Sequence, residues 1–443
     1  MIQVLKSNGK LYTTWLIMTV LILIGVATTG FLSVAAMAMF ALFLLSSPVN
    51  DSCALLFGLL PFANVFKYQA GVTSFFTVCE LLLVLVALIK RARIKTTVVV
   101  SILVLAAYMV MMGSGTLNGL LIVKIVLGFL FFYLMTSCAQ KEDTVNAAYL
   151  LASSTSLMML LSMNNTYFSF VRGFLLDLDY VLDSTGHASS VMRMGGFLGD
   201  PNYCGALIII TVAFLCVLYY YKRIKAEFWV FLAFLIPLGF FTYSKSYFLC
   251  ISVLVLFLIV FVLFPKHKEW GFVSTFAVLI IAVMALSGKI EVFNVILKRF
   301  SGGNILSGRM ELNRLYLSYI WNHPSVLFFG EGIAVDRIIG APNNVHNIYI
   351  ESLFKLGIMG SLVYIGTLLA CVGSHKARHT RSKVVDYLPL LFFAVSFYAL
   401  AGITMYELPF YLSIAVLAKN FESLNDRGRM EKGLQGGKNH ETV

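Results

Sequence analysis

An all-α polytopic membrane protein is the fold class this sequence predicts, and three observations predict it. The 443 residues are 59% hydrophobic and only 12% charged, whereas soluble domains run nearer half apolar and about a quarter charged; the mean hydropathy is +0.87. Long apolar runs recur from residue 12 to residue 420. Short basic breaks such as KRARIK, KRIK, PKHK and HKARHTRSK punctuate those runs.

A bilayer crossing takes about 20 mostly apolar residues. Runs of that kind occupy 12–29, 30–47, 52–67, 73–90, 96–112, 118–137, 144–162, 202–221, 227–243, 246–264, 270–287, 347–372, 386–402 and 404–420, which gives about fourteen transmembrane helices. The first run is longer than the apolar core of a signal peptide and a second follows at once, so an uncleaved first span is expected. The run at 52–67 is short and holds Pro61, which makes it the candidate for a re-entrant segment. With the N-terminus inside, most of the 33 Lys and Arg fall in inside segments. The positive-inside rule then puts both termini in the cytoplasm. Residues 1–420 read as one transmembrane domain; 421–443 is a polar, Gly-rich tail with the composition of a disordered segment.

The net charge of +12 is a topology signal rather than a nucleic-acid signal, because no basic soluble domain is present to bind nucleic acid. The seven cysteines are an odd number, contain no CxxC pair and sit in or beside apolar runs. They read as small buried apolar residues.

Two long segments, 163–201 and 288–346, fall on the outer side under this topology. The second contains LSGRMELNRLYLSYIWNHP, in which Leu312, Leu315, Tyr316, Tyr319 and Ile320 share one helical face. A short amphipathic helix lying on the outer leaflet would bury that face in lipid.

No Walker A loop, GxGxxG turn, HExxH pair or Cys/His cluster is present, so neither a metal nor a nucleotide cofactor is expected. Polar groups instead converge on the outer face. Arg193 precedes GGFLGDPN, where Asp200, Pro201 and Asn202 begin a helix. Two readings of Asp200 stand side by side: an ordinary N-cap before a first-turn Pro, or a ligand for substrate. Lys245 lies in the hairpin TYSKSYF, where snorkelling to headgroups is the alternative to a role in binding. Arg309 opens the surface helix, where a phospholipid contact is its alternative. The stretch VHNIYIESLFKLGI at 345–358 puts His346 and Asn347 at the mouth of a span, followed by Glu351 and Lys355 at i, i+4. Glu before Lys is the favourable order for a helical ion pair, and that pair alone would account for both residues.

Taken in order, Arg193 with GGFLGDPN, YSKS, SGR, FFGEGI and HNIYIESLFKLGIMGSL, the sequence resembles the O-antigen ligase and Wzy-type polysaccharide polymerase superfamily of bacterial membrane glycosyltransferases. The resemblance covers about 193–365, and HNxYxExLxxxGxxG is its most specific element. Where the family usually has Ser-Arg at the hairpin, this chain has Ser244-Lys245, which removes the bidentate donor geometry of a guanidinium.

The resemblance implies a multi-pass protein of the bacterial cytoplasmic membrane. It implies metal-independent transfer of glycans carried on polyprenyl pyrophosphate at the outer face. A polymerase passes the growing glycan to the next carrier-linked repeat unit; a ligase passes it to a lipid A core. It further implies His346 as base, Arg193 and Arg309 as pyrophosphate-binding groups, and Asp200, Asn202, Lys245, Asn347 and Glu351 as substrate-binding groups. Partners on this reading are the lipid-linked oligosaccharides, the bilayer, a chain-length regulator and a flippase. A flippase identity for the chain itself would call for internal repeats and access from both faces, and the polar groups lie on one face. A scaffold role leaves the Arg, Arg and His residues without a purpose.

Overall fold

The computed structural model describes residues 8–90, 92, 94–113, 119–175, 193–259, 309–335, 337–339, 341, 347–373, 384–394 and 408–421. Among them every regular element is helical. The α-helices are α1 (Gly9–Ala27), α2 (Phe31–Ser46), α3 (Val49–Leu59), α4 (Phe75–Ile89), α5 (Thr96–Met111), α6 (Gly119–Cys138), α7 (Lys141–Ser162), α8 (Asn165–Arg172), α9 (Pro201–Tyr220), α10 (Ala226–Phe240), α11 (Lys245–Phe257), α12 (Arg309–Asn322), α13 (Pro324–Phe329), α14 (Ile348–Gly373), α15 (Leu388–Phe392) and α16 (Leu408–Lys419).

Five of them, α1, α6, α7, α9 and α14, have the length and composition to cross a bilayer, and six shorter apolar helices accompany them. The chain is therefore a multi-pass membrane protein. The expected run at 270–287 and the part of 386–402 from 395 onward lie outside the described residues, as does the tail beyond 421. The run at 52–67 is α3 followed by a 3-10 turn at Leu60–Phe62. At about 1.5 Å per residue, α3 reaches only about 16 Å, roughly half the hydrocarbon thickness. Six cysteines among the described residues are buried and form no disulfide with one another, as expected of small apolar side chains.

Local chemistry sets the helix ends. Ser74 accepts from the Phe76 amide at 3.1 Å, Asn164 from Tyr167 at 2.9 Å, and Gln140 with Asp143 forms a capping box on α7; each satisfies first-turn N–H groups that have no partner within the helix. At the other end of α2, Lys90 Nζ donates to the Leu44 and Ser47 carbonyls and Lys10 Nζ to the Ser46 carbonyl at 3.0 Å. Lys10 and Lys90 thus satisfy orphan carbonyls and meet the negative end of the helix dipole.

The centre of the body is α9. Every residue from Cys204 to Leu218 is buried, and α7, α10, α11, α15 and α16 pack around it. Continuous apolarity rather than one-sided periodicity is what a helix surrounded on all sides requires. Asp200 stands at its head.

α12 departs from the surface-helix expectation. The expected face exists, but Leu312, Tyr316 and Ile320 are buried with Ile350 and Phe354 of α14, and Tyr316 stacks edge-on to Phe354 at 5.1 Å between centroids. Leu315 is exposed. The stripe is covered by protein because the head of α14 offers a complementary apolar face, so lipid is not its partner.

α14 also differs from the single span expected over 347–372. Gly357 has φ 63°, ψ −173°, and splits it into arms at 348–356 and 358–373. A Cβ at Gly357 would sit 2.5 Å from the Phe328 carbonyl and the Phe329 nitrogen, so both the left-handed φ and the close approach require glycine. Gly357→Ala is expected to destabilise the protein by about 2 kcal/mol or more. Gly366→Ala on the same helix, where a Cβ meets nothing within 4 Å, is expected to be neutral or slightly stabilising. Thermal unfolding of both variants in detergent checks this; equal melting temperatures would contradict it.

Candidate functional site

Arg193 is where the loop before α9 meets the α10–α11 hairpin. The Met194 amide donates to the Phe241 carbonyl at 3.1 Å, and Arg193 Nε donates to the Thr242 carbonyl at 3.3 Å. The hairpin turns tightly, with Tyr243 at φ 46°, a conformation that costs a bulky residue energy. That turn places Ser244 as the N-cap of α11, its Oγ accepting from the Tyr247 amide at 3.3 Å. Fully buried Tyr247 donates its hydroxyl to the Ile236 carbonyl at 2.8 Å and locks the two helices together.

Asn202 joins the pieces. Its Oδ1 accepts from Ser244 Oγ at 2.8 Å and from Arg193 Nη2 at 3.4 Å. With the amide oxygen committed, the Asn202 NH2 is the donor left for a ligand. Asp200 Oδ1 accepts from the Asn202 amide at 2.6 Å and the Tyr203 amide at 3.4 Å, so its N-cap reading is realised. Lys245, the first residue of α11, is half-buried. The group therefore combines a buried guanidinium, a lysine and a side-chain amide at the heads of two helices, where the backbone dipoles are positive. Such an arrangement suits an anion.

A second group forms at the head of α14. Asn347 Oδ1 accepts from the Tyr349 amide at 3.0 Å and the Ile350 amide at 3.4 Å, which makes Asn347 the N-cap. Glu351 and Lys355 form the expected ion pair at 2.9 Å, and both are buried. Removing either partner would strand a buried charge, which is strongly destabilising. His346 lies outside the described residues. Arg309 is the first residue of α12; its side chain lies outside the described residues as well.

The FFGEGI element acts on α14. Where the first arm ends at Gly357, its last carbonyls have no helical donors. The Glu331 amide donates to the Phe354 carbonyl at 2.8 Å and the Gly332 amide to the Lys355 carbonyl at 3.0 Å. Glu331 is itself anchored by the Tyr319 hydroxyl at 2.6 Å. Sequence reading missed this use of the glycines, and missed the Thr242 carbonyl as a partner of Arg193 and Ser244 as a partner of Asn202. The signal for Ser244 was available in its N-cap position before KSYF; the GEG backbone contacts had none, because main-chain amides look alike in any sequence.

Residues 230–365 match the family model described as O-antigen ligase, consistent with the O-antigen ligase/Wzy superfamily. No curated protein and no solved structure matches the chain. The matched stretch runs from α10 into the second arm of α14, includes Ser244, Lys245 and Arg309, and stops short of Arg193 and Asn202 in the other direction.

Two predictions follow from this geometry. Asn202→Ala should cost about 1–3 kcal/mol by leaving the Arg193 and Ser244 donors without their acceptor. A double-mutant cycle with Ser244→Ala, read by unfolding in detergent, should show coupling, and strict additivity would rule the contact out. The hydrogen bond to Glu331, with burial second, pushes the Tyr319 phenol up to about 12. Its contribution to stability is therefore complete below about pH 10, the ordinary tyrosine value, and is lost as pH rises towards 12. Phenolate absorbance should show the titration fall back towards about 10 in Glu331→Gln; an unchanged curve would contradict the assignment.

Proposed function

We propose that this protein is a polysaccharide polymerase. It joins oligosaccharide repeat units carried on polyprenyl pyrophosphate at the outer face of the cytoplasmic membrane, for an O-antigen, a capsule or an exopolysaccharide. The observation that carries the reading is the O-antigen ligase match over 230–365. It is supported by the anion-suited group of Arg193, Asn202 and Lys245, built partly from residues outside that match.

In the transfer, an acceptor hydroxyl oxygen attacks the anomeric carbon of the donor. The bond from that carbon to the pyrophosphate oxygen breaks, and the pyrophosphate leaves with the electron pair. Negative charge grows on the leaving group, so fixed guanidinium groups hold it more tightly in the transition state than before it. Arg193 and Arg309 take that role. His346 accepts the proton lost by the hydroxyl; an imidazole near its ordinary pKa of ~6.5 is suited to that. Asn202 and Lys245 orient donor oxygens. Asp200 and Asn347 contribute chiefly as caps, and Glu351 through its pair with Lys355. The pyrophosphate ester is already activated, so the reaction draws on no nucleotide.

A ligase is the second reading, favoured by the description of the family model itself. Purified protein given lipid-linked repeat units, without ATP or added metal, separates the two. Chain growth supports the polymerase, transfer only to an added core lipid supports the ligase, and no transfer to either overturns both. His346→Ala is expected to lower the transfer rate by about 10²–10⁴-fold. In cells His346→Ala and Arg309→Ala should each keep normal expression, abolish long glycan and leave single repeat units on the carrier. Gel analysis of extracted glycan reads this, and normal chain length in both variants would refute the assigned roles.

A further inference from the structure

The break in α14 leaves the Leu356 carbonyl beyond the reach of the Gly330–Gly332 turn. Carbonyls at the ends of helices lack intrahelical donors, and in an apolar setting each needs another partner. The Phe354 and Lys355 carbonyls are served by Glu331 and Gly332. The next carbonyl, Leu356, accepts from the Tyr108 hydroxyl at 2.8 Å. The same hydroxyl lies 2.9 Å from the Phe329 carbonyl, at the end of α13. One phenol thus serves the ends of two helices whose contact residues lie 221 and 248 positions away in the chain.

The ring has a place made for it. A Cβ on Gly360 would overlap Tyr108 Cε1, so the Gly357-x-x-Gly360 spacing supplies first the reversal of the backbone and then a notch for the tyrosine. The helix that carries Tyr108 is α5, near its outer end. Farther inward, α5 packs along the second arm of α14, with Thr367 Oγ1 donating to the Ser101 carbonyl at 3.2 Å. At its outer end the Met112 carbonyl abuts Gly332, where a Cβ would sit 2.7 Å away. α5 lies wholly outside the matched stretch of 230–365.

We propose that Tyr108 is a positioning residue. It latches the first arm of α14, with Asn347 and Glu351, and the Gly330–Gly332 turn onto α5, and so sets where the head of α14 stands for glycosyl transfer. The catalytic part of this proposal rests on the transfer reading above. The latch itself does not, because it consists of hydrogen bonds that exist without substrate. A group carried at the head of a helix is displaced when the base of that arm shifts, and small displacements lower the rate of a positioned reaction far more than they weaken ground-state binding.

The test uses the full chain in lipid nanodiscs, comparing wild type with Tyr108→Phe and Gly360→Ala. Phenylalanine keeps the ring and removes the donor; alanine at 360 keeps the donor and evicts the ring. Hydrogen exchange over 328–357 reads the latch directly, and faster exchange in both variants, by about ten-fold or more, with the other helices unaltered, is expected. In the glycan assay, kcat per folded protein is expected to fall about ten- to hundred-fold with KM within about two-fold. The double variant should be no worse than the poorer single one. Unchanged exchange in Tyr108→Phe overturns the latch whatever the activity. Faster exchange with unchanged kcat overturns the positioning role and leaves Tyr108 a purely structural pin. A wild-type protein that transfers no glycan sinks the transfer reading and the catalytic half of this proposal together, while the exchange result still decides the latch.

Discussion

A backbone carbonyl without a donor costs several kcal/mol in a bilayer, and the region around Gly357 is organised around that cost. Breaking α14 at Gly357 frees the carbonyls of its first arm at the edge of the apolar body. The structure answers each in turn, with the Glu331 amide, the Gly332 amide and the Tyr108 hydroxyl. Three separate segments must therefore be in register before the arm can exist. The glycines at 330, 332 and 357, all with φ between 63° and 99°, are what allow the backbones to approach closely enough.

Once the arm is fixed, it becomes a platform. Phe354 and Ile350 give α12 an apolar face to cover, and the Glu351–Lys355 pair closes beneath it at 2.9 Å. A charged pair can remain at this depth because both members are matched and hydrogen-bonded rather than exposed to lipid. The Arg193 group solves a related problem by different means. Its guanidinium donates to a main-chain carbonyl and to a side-chain amide oxygen, both of them neutral acceptors.

Much of this was legible in the residues. Apolar runs predicted most of the helices because length and hydropathy are local properties, and the ends of α5, α9 and α10 fall within a few residues of expectation. Asp200 before Pro201 announced an N-cap, and Glu351 four residues before Lys355 announced an ion pair; both rest on spacing along a single helix. The amphipathic stripe of α12 was legible as well, but its partner was not. Periodicity says which face is apolar and is silent about whether lipid or Phe354 will cover it.

By itself the sequence determined that the chain is a helical membrane protein and where many of its helices begin. Those follow from composition, caps and i, i+4 spacing, all written within about one helical turn. Only the tertiary structure decided that Asn202 meets Arg193 and Ser244, that α14 is two arms rather than one span, and that a tyrosine from α5 closes the break. Each of these depends on main-chain carbonyls and amides brought together across tens to hundreds of residues, and every residue but proline carries the same two groups.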